Sequence, residues 1–278
     1  MEDAPLKTSS STVDWIFPRL RRPVCGLYLW NLASSLTVTA VGLFSKILIG
    51  WLNKSKCHNQ NTFSKLLEGR PKNVPLITVS NHHSCFDDPG IWGCLKWKHL
   101  LSRTTMRWSL AAHDICFTNK LHSYFFMLGK CIPVIRGNGV YQEAINFCVD
   151  RLQDGEWVHV FPEGKVNMNK EFIRLKWGVG RMIYDSPVTP IVVPIWHIGM
   201  EEILPNEPPY ILKTGKKVTF NFGEPINFSN LLKELKEARV NAECARLANQ
   251  SLEVFLPNHH LRLLRQRQKA SKVSHPRC

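Results

Sequence analysis

The chain has no Cys-x-x-Cys pair, no internal repeat and no low-complexity tract. Its nine cysteines are odd in number, and their spacings fit neither a zinc site nor a disulfide framework. Cys94, Cys116, Cys131 and Cys148 sit among apolar neighbours and read as small core hydrophobes, and Cys85 is read as packing rather than as a thiol nucleophile. Gly137-x-Gly139 lacks the third glycine of a dinucleotide fingerprint, which excludes that reading. With 44% hydrophobic residues in 278, the chain has the composition of a folded protein and the length for one large core. Two absences are local. No charged residue lies between Pro23 and Ser45, and no acid follows Glu253.

The uncharged run is long enough to cross a bilayer, which takes about 20 residues. Asn31, Ser34, Ser35, Thr37 and Thr39 make it a weak spanning helix, and Trp30 and Trp51 suit an interfacial position. A segment that dips into one leaflet or lies at the interface is therefore expected. A cleavable signal peptide fits poorly, because the apolar part begins late and lacks a small-residue cleavage site. The formal net charge of +14 favours an anionic partner. Arg262, Arg265, Arg267, Lys269, Lys272 and Arg277 concentrate part of it in a tail that is either solvated or in contact with a membrane. Nucleic-acid binding would rest on charge alone, with no recognition helix or zinc spacing behind it, and is set aside. The expected organisation is a polar then basic N-terminus (1–22), a membrane-associated segment (23–52), a folded domain (53–256) and a basic tail (257–278).

Short β-branched and apolar runs predict strands at 76–79, 131–135, 157–161, 191–196 and 217–222. Between them, helices are predicted at 90–96, 121–128, 141–152 and 177–184, with a long terminal helix at 231–255. Gly129 is expected to close the second of these in the left-handed conformation. Pro194 should put its strand at an edge or a bulge. Residues 53–75 read as a polar linker with a short helix at 63–68. Strands alternating with helices predict an α/β fold, a mixed, largely parallel sheet flanked by helices, with its site at strand carboxyl ends.

The stretch of most chemical interest is Asn81-His82-His83-Ser84-Cys85-Phe86-Asp87-Asp88-Pro89. It leaves a predicted strand and enters a predicted helix, with Asp88 and Pro89 as an N-cap and first helical residue. His82 and Asp87 then share a loop, where the carboxylate can fold back onto one imidazole nitrogen and leave the other free to take a proton. His83 reads as a neighbour, and His113, His159 and His197 as structural or supporting histidines.

Four features occur in one order: His82-x-x-x-x-Asp87, Ile135-Arg136-Gly137, Phe161-Pro162-Glu163-Gly164 and Val193-Pro194-Ile195. Together they resemble the motif set of the glycerolipid acyltransferase superfamily. Ser80 to Pro89, Asp114 to Thr118, Gly129 to Cys131, Phe161 to Met168 and Trp196 to Met200 narrow the likeness to its phospholipid–lysophospholipid transacylases, over about Trp15 to Leu256. The resemblance implies that His82 is the base and Asp87 its orienter, that Arg136 binds phosphate, and that Glu163 and Gly164 position the acceptor's glycerol. Lys165 and Asn167 are implied headgroup contacts. Lys165-Val166-Asn167 replaces the Thr or Ser, then Arg, of many acyl-CoA enzymes, which counts against a soluble acyl-CoA donor. The implied activity is CoA-independent acyl exchange between phospholipids and lysophospholipids, with cardiolipin and monolysocardiolipin as substrates and an anionic membrane surface as partner. The implied location is mitochondrial membranes, facing the intermembrane space. Neither a metal nor a cofactor is expected. The alternatives are an acyl-CoA-dependent lysophospholipid acyltransferase and a catalytically idle membrane-binding protein of the same fold.

Overall fold

In the computed structural model, which describes residues 13–23 and 25–237, seven strands form one sheet. They are β1 (Lys54–His58), β2 (Leu76–Ser80), β3 (Trp108–Ala112), β4 (Cys131–Val134), β5 (Trp157–Val160), β6 (Ile191–Ile198) and β7 (Lys217–Phe222), in the order β1-β7-β6-β2-β5-β3-β4. From β6 to β4 every pair is parallel; β7 runs antiparallel to β6, and β1 parallel to β7. β2 and β5 are buried along their whole length, which is why they read as unbroken rather than alternating runs. Their side chains alternate between two cores: Ile77, Val79 and Val158 face one side of the sheet, Leu76 and Trp157 the other.

The helices are α1 (Ile16–Arg21), α2 (Leu27–Lys46), α3 (Gln60–Gly69), α4 (Asp87–Trp92), α5 (Trp97–Leu100) and α6 (His113–Cys116). They are followed by α7 (Lys120–Leu128), α8 (Glu143–Gln153), α9 (Gly178–Asp185), α10 (Met200–Ile203) and α11 (Ser229–Glu237). α1, α7, α8 and α9 supply one core, and α2 to α5 with α10 supply the other. The expected helix at 231–255 begins as α11, and its remainder lies outside the described residues, as does the basic tail.

Three local expectations are corrected and one is narrowed. The polar linker at 53–75 is an edge strand and a ten-residue helix, because β1 pairs in register with β7, from Lys54 opposite Lys217 to His58 opposite Asn221. β6 is interior, between β2 and β7, in spite of Pro194. The edge is thus ruled out and the bulge holds: pairing with the chain after β7 slips by one residue, from Ile195 opposite Phe222 to Val192 opposite Ile226, and the Pro194 carbonyl accepts from Gly223 N–H (2.8 Å) at the slip, where a missing donor interrupts no rung. α7 ends on Gly129 with φ −74°, and the left-handed turn falls on Lys130 at φ +62°. The Lys130 side chain explains that choice: its buried Nζ donates to the Met106 carbonyl (2.6 Å) and to Glu156 Oε2 (3.0 Å). Finally, Asp88 caps nothing. α4 starts at Asp87, and Asp88 pairs with Arg107 and accepts from Trp92 Nε1 (3.2 Å).

α2 continues through a π turn, Ile47–Trp51, as one helix of 25 residues whose most apolar 18-residue stretch has mean hydropathy 1.7, long and apolar enough to cross a membrane by length and composition. One face, Trp30, Ser34, Val38, Gly42 and Ser45, is buried against α7, α5 and α4. Leu27, Leu29, Leu32, Leu36 and Leu43 are exposed. Backbone approach at the buried face is close: a Cβ on Gly93, just after α4, would lie 2.5 Å from the Ser45 carbonyl. Gly93 has an ordinary right-handed conformation, so Gly93→Ala is a purely steric test of this contact. The substitution should destabilise the detergent-solubilised protein by about 1–3 kcal/mol. Thermal unfolding followed by circular dichroism measures it, and an unchanged midpoint would contradict the packing of α2 on α4.

Candidate active site

The parallel strands bring the carboxyl ends of β6, β2, β5, β3 and β4 to one edge of the sheet, where α/β folds gather their chemistry. β2 leads into the loop that ends at Asp87, and this loop is wound around a single carboxylate oxygen. Asp87 Oδ2 accepts from the backbone N–H of His83 (2.6 Å) and Ser84 (2.8 Å), and from His82 Nδ1 (2.9 Å). Asp87 is fully buried, whereas the His82 side chain keeps 19% of its surface exposed. Burial alone would raise the Asp87 pKa; His197 and His82 outweigh it, and the carboxyl is held below its ordinary range. Asp87 can only accept here, so His82 carries its proton on Nδ1 and presents a bare Nε2.

Other groups fix the imidazole from its remaining sides. The Phe161 ring stacks on it, with centroids 4.2 Å apart and planes at 20°. His82 N–H donates to Glu163 Oε1 (3.1 Å), and its carbonyl accepts from Asn167 N–H (2.7 Å). Burial pushes the Glu163 carboxyl up. Behind His82, His159 is fully buried between Thr78 (2.8 Å) and Ser80 (3.3 Å), and its ring meets Phe161 edge-on. Cys85 is exposed rather than packed, and partial burial with the charge of Asp87 pushes its thiol up, away from a reactive thiolate.

The expected site residues divide into three groups. His82, Asp87 and Glu163 come together as described. Gly164 follows in a left-handed turn (φ +71°), where a Cβ would lie 3.0 Å from Lys176 Cγ, so glycine suits both the backbone and the space. Lys165 is exposed beside it. Asn167 takes a different part from the expected headgroup contact: it is buried, its side-chain amide donates to the Glu171 carbonyl (2.7 Å), and its backbone holds His82. Arg136 follows β4, three strands along the same edge, or about 14 Å at the usual strand spacing. It is half-exposed and paired with Asp114, in α6 just after β3.

Two residues of the site were marked in the sequence only loosely, Asn81 as the start of the key stretch and His197 as a structural or supporting histidine. Asn81 and His197, at the ends of adjacent strands β2 and β6, bind each other three times. Asn81 Oδ1 accepts from His197 N–H (2.9 Å), Asn81 Nδ2 donates to the His197 carbonyl (2.8 Å), and His197 Nε2 lies 2.9 Å from the Asn81 carbonyl. The same Nε2 is 3.5 Å from Asp87 Oδ2. Local sequence cannot report a contact across 116 residues; only the match of Trp196 to Met200 to known motifs marked that segment.

The family model described as Acyltransferase matches residues 54–198, which include both the His82–Asp87 loop and Glu163. The chain belongs to the acyltransferase family. Within it, the chain is 55% identical over 84% of its length to tafazzin of Drosophila melanogaster, of which it covers 61%. It is 46% identical to the N-acylphosphatidylethanolamine synthase of Arabidopsis thaliana, over 72% of this chain and 73% of that one. It is 34% identical to the taffazin of Dictyostelium discoideum, over 74% and 73%. The chain thus spans about three-fifths of the fly protein. The crystal structure of the 1-acyl-sn-glycerophosphate acyltransferase PlsC from Thermotoga maritima aligns with a TM-score of 0.50 and 20% identity, over 78% of this chain and 79% of that one. This likeness shows the fold, the mixed sheet flanked by helices.

The buried histidines make stability depend on pH. Burial holds His159 at about 3 and His83 at about 4, each below the ordinary 6.5. Between about 6.5 and 4 the unfolded chain therefore binds more protons than the folded one, and stability falls as pH falls. His159→Gln should remove about one proton from this linkage, flattening the decline by about 1.4 kcal/mol per pH unit in that window. Denaturant unfolding at pH 6.5, 5.5 and 4.5 measures the slopes; parallel slopes for the two proteins would contradict a neutral buried His159.

Proposed function

We propose that the chain is a membrane-associated transacylase that moves fatty acyl groups between phospholipids and lysophospholipids without CoA, with His82 as its general base. The observation that carries this reading is the hydrogen bond from His82 Nδ1 to the buried Asp87, which leaves Nε2 free. His82 Nε2 takes the proton of a lysophospholipid hydroxyl as its oxygen attacks the ester carbonyl of a second phospholipid. The C–O bond to the donor glycerol breaks, and the imidazolium returns the proton to the departing oxygen. One ester and one alcohol enter, and one ester and one alcohol leave. Asp87 stabilises the imidazolium between these steps.

In this reading, Glu163 and Gly164 position the glycerol of the acceptor, Lys165 meets the headgroup, and Asn167 supports the loop. Arg136 binds phosphate. Its pair with Asp114 is exposed, so exchanging that carboxylate for a phosphate costs little, and a guanidinium fork suits either anion. The likeness to tafazzins supports cardiolipin and monolysocardiolipin as substrates, and mitochondrial membranes facing the intermembrane space as the location. The name of the Arabidopsis relative favours a second acceptor, the amine of phosphatidylethanolamine, which the same base could deprotonate.

The packing of α2 supports insertion into one leaflet rather than a span. Its buried face runs from Trp30 to Ile49, a rise of about 28 Å, close to the full hydrocarbon thickness of about 30 Å. A helix crossing the bilayer would carry α4, α5 and α7 in with it. Lying along the surface, α2 keeps its exposed leucines in lipid and the site at the interface, where Phe44 of α2 meets Phe86 of the active-site loop (6.0 Å).

Purified protein in liposomes, given a labelled phospholipid and an unlabelled lysophospholipid but no CoA, should transfer label to the lysolipid. His82→Ala should lower the rate by at least about 100-fold. A strict CoA requirement would establish the acyl-CoA enzyme instead, and label found only as an N-acyl product would establish the amine acceptor. Transfer that survives His82→Ala unchanged would contradict the assigned base.

A further inference from the structure

We propose that His197 is a positioning residue for acyl transfer, holding Asp87 in register beneath His82. The proposal rests on the reading of His82 as base. Three observations lead to it. His197 has no exposed surface, so its imidazole serves neither substrate nor solvent directly. Its Nε2 is 2.9 Å from the Asn81 carbonyl, a pure acceptor, so the ring proton resides on Nε2. That N–H also faces Asp87 Oδ2 at 3.5 Å, too long for a good hydrogen bond but close enough to place its positive end against the carboxylate.

The connectivity explains why a histidine fits this position. The two further bonds between Asn81 and His197 fix the end of β2 to the end of β6, one residue before the loop that carries His82. Asn81 carries the loop, and Asp87 anchors its far end through the N–H groups of His83 and Ser84. The Nε2–H of His197 lies between the two anchors. Its other nitrogen, Nδ1, has no hydrogen-bond partner among the described residues, so a side chain with a single donor at the Nε2 position reproduces what the imidazole does. Glutamine places its amide nitrogen there; phenylalanine fills the volume without the donor.

The experiment compares His197→Gln and His197→Phe in the CoA-free transfer assay, each checked for folding by circular dichroism and thermal unfolding. His197→Phe should lose kcat by roughly tenfold or more with KM little changed, since no lipid contact is removed, and His197→Gln should regain most of that loss. Equal losses in both variants, a wild-type kcat in His197→Phe, or an effect confined to KM would each overturn the proposal. Should His197→Phe fail to fold, or the wild type prove inactive, histidine 15N NMR of the wild-type protein decides the placement independently. A proton on Nε2 of His197 and none on Nδ1 is expected, and an Nδ1–H tautomer overturns the proposal. Absence of acyl transfer by the wild type counts against the proposed function; the wrong tautomer counts against this inference alone.

Discussion

One buried carboxylate oxygen organises the site. Asp87 Oδ2 gathers two backbone N–H groups and the Nδ1–H of His82 in a place from which water is excluded. In so dry a setting an ionised carboxylate is tolerated because three donors converge on this one oxygen, and those donors are the loop itself. The same contacts therefore fold the segment, keep Asp87 charged and set the tautomer of His82. Moving the carboxylate would disturb all three together, so local structure and chemistry depend on one interaction.

The rest of the fold serves to hold that oxygen at the rim of the sheet. β2 and β6 bring Asn81 and His197 side by side; β5 delivers Phe161 to the face of His82 and Glu163 to its backbone. α4 leaves the site directly toward α2, packed at Gly93 and Ser45 closely enough to forbid a side chain. The apolar helix and the base are thus joined through one packed contact, α2 on α4. Under the proposed transacylase reading, in which both substrates are lipids, this connection keeps the reactive groups at the depth where ester carbonyls lie.

Much of this arrangement was legible in the sequence where the signal is local. The unbroken run at 76–79 and the alternation of strands with helices gave the fold class, and the five-residue offset from His82 to Asp87 marked a pair that the fold does bring together. Where the deciding contact is distant, local rules failed for identifiable reasons. Pro194 suggests an edge as readily as a bulge, and only the distant partner strand, whose pairing slips by one residue beside it, decides for the bulge. Gly129 looks like the left-handed residue, but the buried ammonium of Lys130 dictates which residue turns. Asp88 looks like a cap and instead answers Arg107, 19 residues on. Residues 53–75 look like a linker because an edge strand paired on one side carries few apolar residues. His197 could be read as a supporting histidine, but its partners Asn81 and Asp87, more than 100 residues away, could not.

The most direct test of the central claim is a double-mutant cycle on acyl transfer using His82→Ala, Asp87→Asn and the double variant. If Asp87 acts through the imidazole, removing it from a protein that already lacks His82 costs nothing more, and the double variant transfers as fast as His82→Ala. Losses that simply multiply would show the two residues acting independently and would contradict the account.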